Sequence, residues 1–264
     1  MTRRVGLIGY GAIAREVERQ LRGDPAVQIS HVLLRPARAK QTWMIGGDVQ
    51  AVTTVHEFPS NLDIVIECAG HGAVREYLPD VLRRGIDAAV VSAGALADDD
   101  LSAELQSASD AGCSRLSILP GAIGGMDALS AAGSALQEVT YSSRKPPLSW
   151  AGSPAEEGYD LNSITETTLL FSGTAREAAL RFPKNANVVA TVALAGVGFD
   201  QTMVKLWADP AAKGNKHSIK ASGGGYDFAY TTKGAALARN PRTSALTAQS
   251  VLRYLHGLTP GIHV

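Results

Sequence analysis

Cysteine is scarce in this sequence: Cys68 and Cys113 are the only two among 264 residues. Two are too few for a disulfide scaffold or a cysteine-rich metal site, and they suit a reducing, cytoplasmic setting. No pair of histidines or cysteines has ligand spacing, so no metal is expected. An excess of charge is also missing. The 25 basic and 25 acidic side chains cancel, which leaves no field to draw the chain onto nucleic acid or an anionic membrane. Long apolar runs are absent. The longest, near Val188–Val197, is about ten residues and broken by Thr191, whereas a spanning helix needs roughly twenty. After Met1-Thr2-Arg3-Arg4 the apolar stretch ends at Gly9, too early for a secretory h-region. No repeat or low-complexity segment is visible. What remains is an ordinary globular composition, 45% hydrophobic and 19% charged, in a chain long enough for two modest domains.

The first half alternates short apolar runs with helical patterns, the mark of a parallel sheet with crossovers. Val5–Ile8, Val27–Leu34, Ile64–Cys68, Ala88–Ser92 and Leu116–Leu119 read as strands. Ala12–Leu21, Val74–Arg84 and Leu101–Ala111 read as the helices between them. Beyond Pro120-Gly121-Ala122-Ile123-Gly124-Gly125 the texture changes. After a helix from about Met126 to Leu136 come longer, alternating strands at Thr165–Ser172, Gln201–Ala208, Ser218–Ser222 and Tyr226–Thr232. Ala186–Leu194 reads as a buried helix, Lys145–Gly158 as a surface loop, and Ser244–His256 as a last helix. The expected fold is α/β: a Rossmann-type doubly wound parallel sheet followed by an α+β domain on a mixed, largely antiparallel sheet. The first domain is expected to span residues 1–119 plus 240–264, and the second, for substrate binding, catalysis and dimerisation, residues 120–239.

Gly9-Tyr10-Gly11-Ala12-Ile13-Ala14 carries the spacing G-x-G-x-x-A between a strand and a helix. Gly9 permits a tight turn, Gly11 lets a pyrophosphate approach the backbone, and small Ala14 lets helix and strand pack closely. The amides opening the helix, at Ala12 and Ile13, then face the phosphate charge. This is a dinucleotide site, and the cofactor expected is NAD or NADP. The second strand of such sites normally ends in an acidic residue for the adenine ribose. Here the order is Leu34-Arg35-Pro36-Ala37-Arg38. Arg35 and Arg38 suit a 2′-phosphate, though both also read as solvated loop charges. Cys68-Ala69 and Ala93, after two later strands, are small enough to leave room for the nicotinamide ribose. His71 reads as a crevice-lining or exposed histidine.

Four blocks carry a resemblance. They are Pro120-Gly121-Ala122-Ile123-Gly124-Gly125-Met126-Asp127, Phe182-Pro183-Lys184-Asn185-Ala186-Asn187, Ala208-Asp209-Pro210 with Asn215-Lys216-His217, and Asn240-Pro241-Arg242-Thr243-Ser244. In order, over nearly the whole chain, they resemble the L-aspartate dehydrogenases. The resemblance implies a cytoplasmic, usually homodimeric oxidoreductase. It would oxidise L-aspartate to iminosuccinate, feeding pyridine nucleotide biosynthesis or yielding oxaloacetate and ammonia, and would run the amination in reverse. It implies that His217 is the catalytic histidine and that Ala122 and Asn187 contact the dinucleotide.

The chemistry asks for such groups. A substrate with two carboxylates and an amine needs cationic or amide donors and one group that exchanges a proton near neutrality, which histidine supplies. Spacing alone reads His217 as a surface histidine on a loop just before a strand; the resemblance reverses that. Lys184, Thr243 and Ser244 are candidate substrate-carboxylate ligands. Lys184 reads equally as a solvated lysine, and Ser244 and Asn185 as helix caps. Asp209 reads as a turn residue. Two other readings stay open: a sibling two-domain reductase acting on another amino or hydroxy acid, and a non-catalytic NAD(P)-binding redox regulator.

Overall fold

The computed structural model describes residues 2–37, 49–234, 236–237 and 240–262, with all their side chains except those of 236–237 and 240–243. Arg38 therefore lies outside the described residues, as does the side chain of Thr243. The chain divides into two compact units. The first comprises residues 1–119, 239–243 and 247–264, and the second residues 120–238 and 244–246.

In the first unit six strands form one sheet: β1 (Arg3–Ile8), β2 (Val27–Leu33), β3 (Gln50–Val52), β4 (Ile64–Glu67), β5 (Asp87–Val90) and β6 (Leu116–Ile118). Their order is β3-β2-β1-β4-β5-β6 and every pairing is parallel. Three helices cross over between them: α1 (Ala12–Leu21), α2 (His71–Arg83) and α3 (Asp99–Gly112). The order reverses at β1 and β4, so the carboxyl ends of these two strands open the crevice where ligands of such sheets bind. Only β3 escapes the sequence reading, because three residues are too few to show a period.

The core of this unit explains both its helix placement and the return of the C-terminus. Val5 and Leu7 of β1, with Ala14, Val17 and Leu21 of α1, pack with Ala248, Val251, Leu252 and Leu255. The last four lie on one side of the C-terminal helix Ala245–Gly257, spaced as an amphipathic stripe requires. Each fully buried leucine in that seam contributes about 1.5–3 kcal/mol. Two polar ties add to the seam: Tyr254 Oη to Ser117 Oγ at 2.8 Å and Arg3 Nε to the Leu258 carbonyl at 2.9 Å.

The second unit contains α4 (Met126–Ala132), β7 (Glu138–Lys145), β8 (Thr168–Thr174), α5 (Ala175–Arg181), α6 (Ala186–Ala195), β9 (Thr202–Ala208), β10 (Asn215–Gly223) and β11 (Tyr226–Gly234). With β13 a short strand at Asn240–Ser244 and its predecessor β12 at Ala236–Leu237, the C-terminal helix becomes α7. The five long strands order as β11-β10-β7-β9-β8, antiparallel except for β7 with β9. Three expectations need correction. β7, at the centre of this sheet, was not anticipated. The strand expected at Ser218–Ser222 begins earlier, at Asn215, so His217 sits inside β10 rather than on a loop before it. The expected loop Lys145–Gly158 is two 3-10 turns, Pro147–Trp150 and Pro154–Glu157. Trp150 is only 1% exposed there and its indole donates to the Trp207 carbonyl at 3.1 Å; one large buried aromatic overrides a locally polar composition.

Candidate active site

In the first unit, Gly9, Gly11, Leu34, Arg35, Cys68, Ala69 and His71 line one groove of about 290 Å³ at the carboxyl ends of β1, β2 and β4. Gly9 has φ +85°, and a Cβ there would lie 2.6 Å from that of Ala69. Only glycine fits the turn. Gly11 caps α1 without a side chain, and the first turn of that helix carries no acidic residue. The amides of Ala12, Ile13 and Ala14 therefore meet an incoming anion with neither a capping side chain nor a carboxylate in competition. Ala14 itself is fully buried against the sheet, as close packing requires. Arg35 is exposed at the end of β2, on the groove's edge. His71 opens α2 on the groove wall. Ala93 is fully buried and does not line this groove.

Glu67, the last residue of β4, holds the groove's floor, a role that sequence reading missed. It is completely buried. Its carboxylate accepts from the amides of Ala69 (2.6 Å), Gly70 (2.7 Å) and Ser92 (3.0 Å) and from the Ser92 hydroxyl (3.0 Å). One side chain thus ties the loop after β4 to the loop after β5. Burial pushes its carboxyl above the usual range, against the pull of those donors. Burial and the neighbouring Glu67 also push the Cys68 thiol well up, so Cys68 acts as a small wall residue and not as a nucleophile.

In the second unit, side chains at alternate positions of a strand share a face. Tyr141, Ser143 and Lys145 of β7 therefore line up beside His217 of β10, which is directly opposite Ser143 on one side and Thr232 of β11 on the other. His217 is only 6% exposed, with its Nδ1 2.7 Å from the Tyr141 hydroxyl and the two rings stacked. Burial, helped by the positive charge of Lys145, lowers His217 to about 4. At neutral pH the imidazole is uncharged and able to take a proton. Burial raises the Tyr141 phenol and keeps it protonated. Burial also lowers Lys145 to about 8. Its ammonium donates to Asn185 Oδ1 and sits 4.7 Å above the Trp150 ring.

The remaining candidates fall as follows. Ala122 is half-buried in the loop Pro120–Gly125. That loop passes so close to Tyr230 of β11 that a Cβ on Gly124 would meet its hydroxyl at 2.5 Å, which accounts for the glycine pair. Asn187 is the second residue of α6, half-buried. Lys184 lies at the surface, donating to the Gly152 carbonyl at 3.0 Å, away from the buried row. Ser244 caps α7, accepting from the Leu246 amide at 3.3 Å. Asp209 is a turn residue that accepts from the Ala211 amide at 2.9 Å and pairs with Arg144. Asn185 does not cap α6 with its side chain; that carbonyl is engaged by Lys145 instead.

Residues 127–258 match the family model described as aspartate dehydrogenase, C-terminal, and residues 9–118 match that of the homoserine dehydrogenase NAD binding domain. An L-aspartate dehydrogenase of Cupriavidus necator is 45% identical over 257 residues, covering 95% of this chain and 96% of the relative. This chain belongs to the L-aspartate dehydrogenase family. The Acinetobacter baumannii relative of the same name is 41% identical over 261 residues, 98% of each chain. The crystal structure of aspartate dehydrogenase from Thermotoga maritima superposes over the full length of both chains with a TM-score of 0.81 at 27% identity. No helix among the described residues is long and apolar enough to cross a membrane.

Proposed function

We infer that this chain oxidises L-aspartate to iminosuccinate with NAD or NADP, and that water then releases oxaloacetate and ammonia. The observation that carries the reading is the neutral, buried His217 tied through Nδ1 to Tyr141, on a chain whose relatives are L-aspartate dehydrogenases from end to end.

The groove around Gly9 suits a dinucleotide: the amides of Ala12, Ile13 and Ala14 would hold the pyrophosphate, and Arg35 would hold a 2′-phosphate. Ala122 and Asn187 are assigned to the same cofactor on the family resemblance. When bound, the oxidised nicotinamide supplies the hydride acceptor for the substrate α-carbon. The chain's own contribution is proton handling. Loss of hydride and an N–H proton turns the amine into an imine. His217 Nε2 then takes a proton from the water that adds to the imine carbon and gives it to the nitrogen; the same relay carries the carbinol hydroxyl proton to nitrogen, so that ammonia leaves as the carbonyl forms. A base at Nε2 needs Nδ1 to keep its proton and Tyr141 to accept it. Thr243 is retained as a substrate ligand on its place in the family block.

The assay is absorbance of reduced nicotinamide with L-aspartate, or with oxaloacetate and ammonia, using each cofactor. In His217→Ala, kcat should fall at least about a hundredfold, the range of general acid–base catalysis, with cofactor affinity little changed. Near-normal turnover would refute the assignment. Use of NADP at least as good as NAD is expected from Arg35, and a strong NAD preference would overturn that part. A homodimer and a cytoplasmic location complete the proposal, checked by sedimentation and by cell fractionation.

A further inference from the structure

Among the described residues, no carboxylate pairs with Lys145. Its ammonium is held by a neutral amide oxygen and an aromatic face, and burial lowers its proton affinity. Asp209, whose amide donates to the Lys145 carbonyl at 2.8 Å, has its carboxylate engaged by Arg144. Asn185 before α6 and Trp150 from the turn after β7 touch Lys145, and they carry no charge at neutral pH, nor do Tyr141, Ser143 and His217 in the same row. A half-buried ammonium left this way is stabilised when an anion joins it.

A second, independent observation lies in the same row. Among the described residues the buried Thr232 hydroxyl has no hydrogen-bond partner and the Ser143 hydroxyl has none of good geometry, although Ser143 lies close enough to Tyr141 to favour its phenolate. Buried hydroxyls normally have partners. These two flank His217 on adjacent strands, so the ring stands between two idle donors, with Lys145 two residues beyond Ser143.

We propose that Lys145, with the Ser143 hydroxyl on the same strand face, is the subsite that takes one carboxylate of the substrate and presents the carbon skeleton to His217. An ammonium and a hydroxyl donor match a carboxylate and nothing cationic. The subsite deepens the aspartate reading and rests on it. It replaces Lys184, whose ammonium is engaged at the surface.

The probe is succinate as a competitive inhibitor against L-aspartate, since it has both carboxylates and no amine to titrate. In Lys145→Met its inhibition constant should rise at least about thirtyfold, as expected when one partner of a desolvated charge pair is removed, while the cofactor Kd stays within about threefold. Lys145→Arg should retain most of the affinity. L-alanine and 3-aminopropanoate, each keeping a different carboxylate, assign the carboxylate: only the one that engages Lys145 should lose inhibition in Lys145→Met. The wild-type enzyme supplies a control that does not depend on a variant folding. Succinate inhibition should be level near neutrality, where the probe's carboxylates are ionised, and weaken as pH rises through 8 and Lys145 loses its proton, because burial has brought that group to about 8 and His217 and Tyr141 do not titrate there. Undiminished succinate inhibition in Lys145→Met, or an equal loss for every inhibitor with or without the matched carboxylate, overturns the subsite. Absence of aspartate turnover in the wild-type enzyme instead overturns the reading beneath it.

Discussion

Tyr141→Phe isolates a single hydroxyl. Phenylalanine keeps the ring that stacks on His217 at 6.0 Å and fits the same buried volume, so packing is retained. What disappears is the 2.7 Å contact to Nδ1. That nitrogen is then buried without a partner, which costs about 1–3 kcal/mol. If the Nδ1 contact holds the tautomer that leaves Nε2 free, the loss falls on the step in which His217 moves a proton. At 1.4 kcal/mol per tenfold, kcat should drop by a factor of about 5 to 150. KM for the cofactor should not move, because the dinucleotide groove belongs to other residues. The assay is steady-state turnover of L-aspartate by absorbance, with kcat and KM separated for both substrates. A thermal melt run alongside should register the same unsatisfied nitrogen as a lower Tm. A kcat within about twofold of wild type, in a variant whose Tm has fallen, would refute the argument and reduce Tyr141 to a packing residue.

Three further outcomes follow from other parts of the structure. His217 sits at about 4 when folded and near 6.5 when unfolded, so the unfolded chain binds more protons between those values. Stability from this source is complete above about pH 6.5 and is lost as pH falls toward 4, at about 2 kcal/mol by pH 5. Urea denaturation at pH 7 and pH 5 should show that difference shrink by about 2 kcal/mol in His217→Gln, and an unchanged difference would refute the burial argument. Glu67→Gln keeps one acceptor oxygen for the donors on Oε1 but sets an NH2 against the Ser92 amide that now donates to Oε2. It should cost about 1–3 kcal/mol of stability and raise KM for the dinucleotide more than for aspartate; equal denaturation midpoints would sink it. Gly9→Ala forces a Cβ to within 2.6 Å of Ala69 at φ +85°. Dinucleotide affinity measured by fluorescence titration should fall at least about tenfold, from a local strain of 1–2 kcal/mol or more, and retained affinity would show that the turn can relax.

The first unit was legible because its strands are buried on both faces and its helices on one. Runs such as Val5–Ile8 and the stripe through Ala14, Val17 and Leu21 carry a period that survives without tertiary information. The glycine turn was legible for a related reason, since backbone that must come close to phosphate leaves small residues at fixed offsets. Glu67 was not, because its partners are amides on loops that the sheet brings together and no local spacing announces them.

The two strand misreadings in the second unit share one cause. β7 passed unrecognised although it is the central strand of its sheet, and β10 was started at Ser218 instead of Asn215. On β7 the inward face reads Val139, Tyr141, Ser143, Lys145, and on β10 it reads His217, Ile219, Ala221. At one end of both strands the apolar face gives way to polar and chargeable groups, so the alternation that identifies a half-buried strand stops. The break comes where Lys145, Ser143 and His217 lie side by side. A sheet built only for stability would carry valine or isoleucine there. Local rules fail most often at functional or strained sites, and on both strands the failure includes the polar end of the shared face. Where the strand pattern stopped short, the candidate active site began.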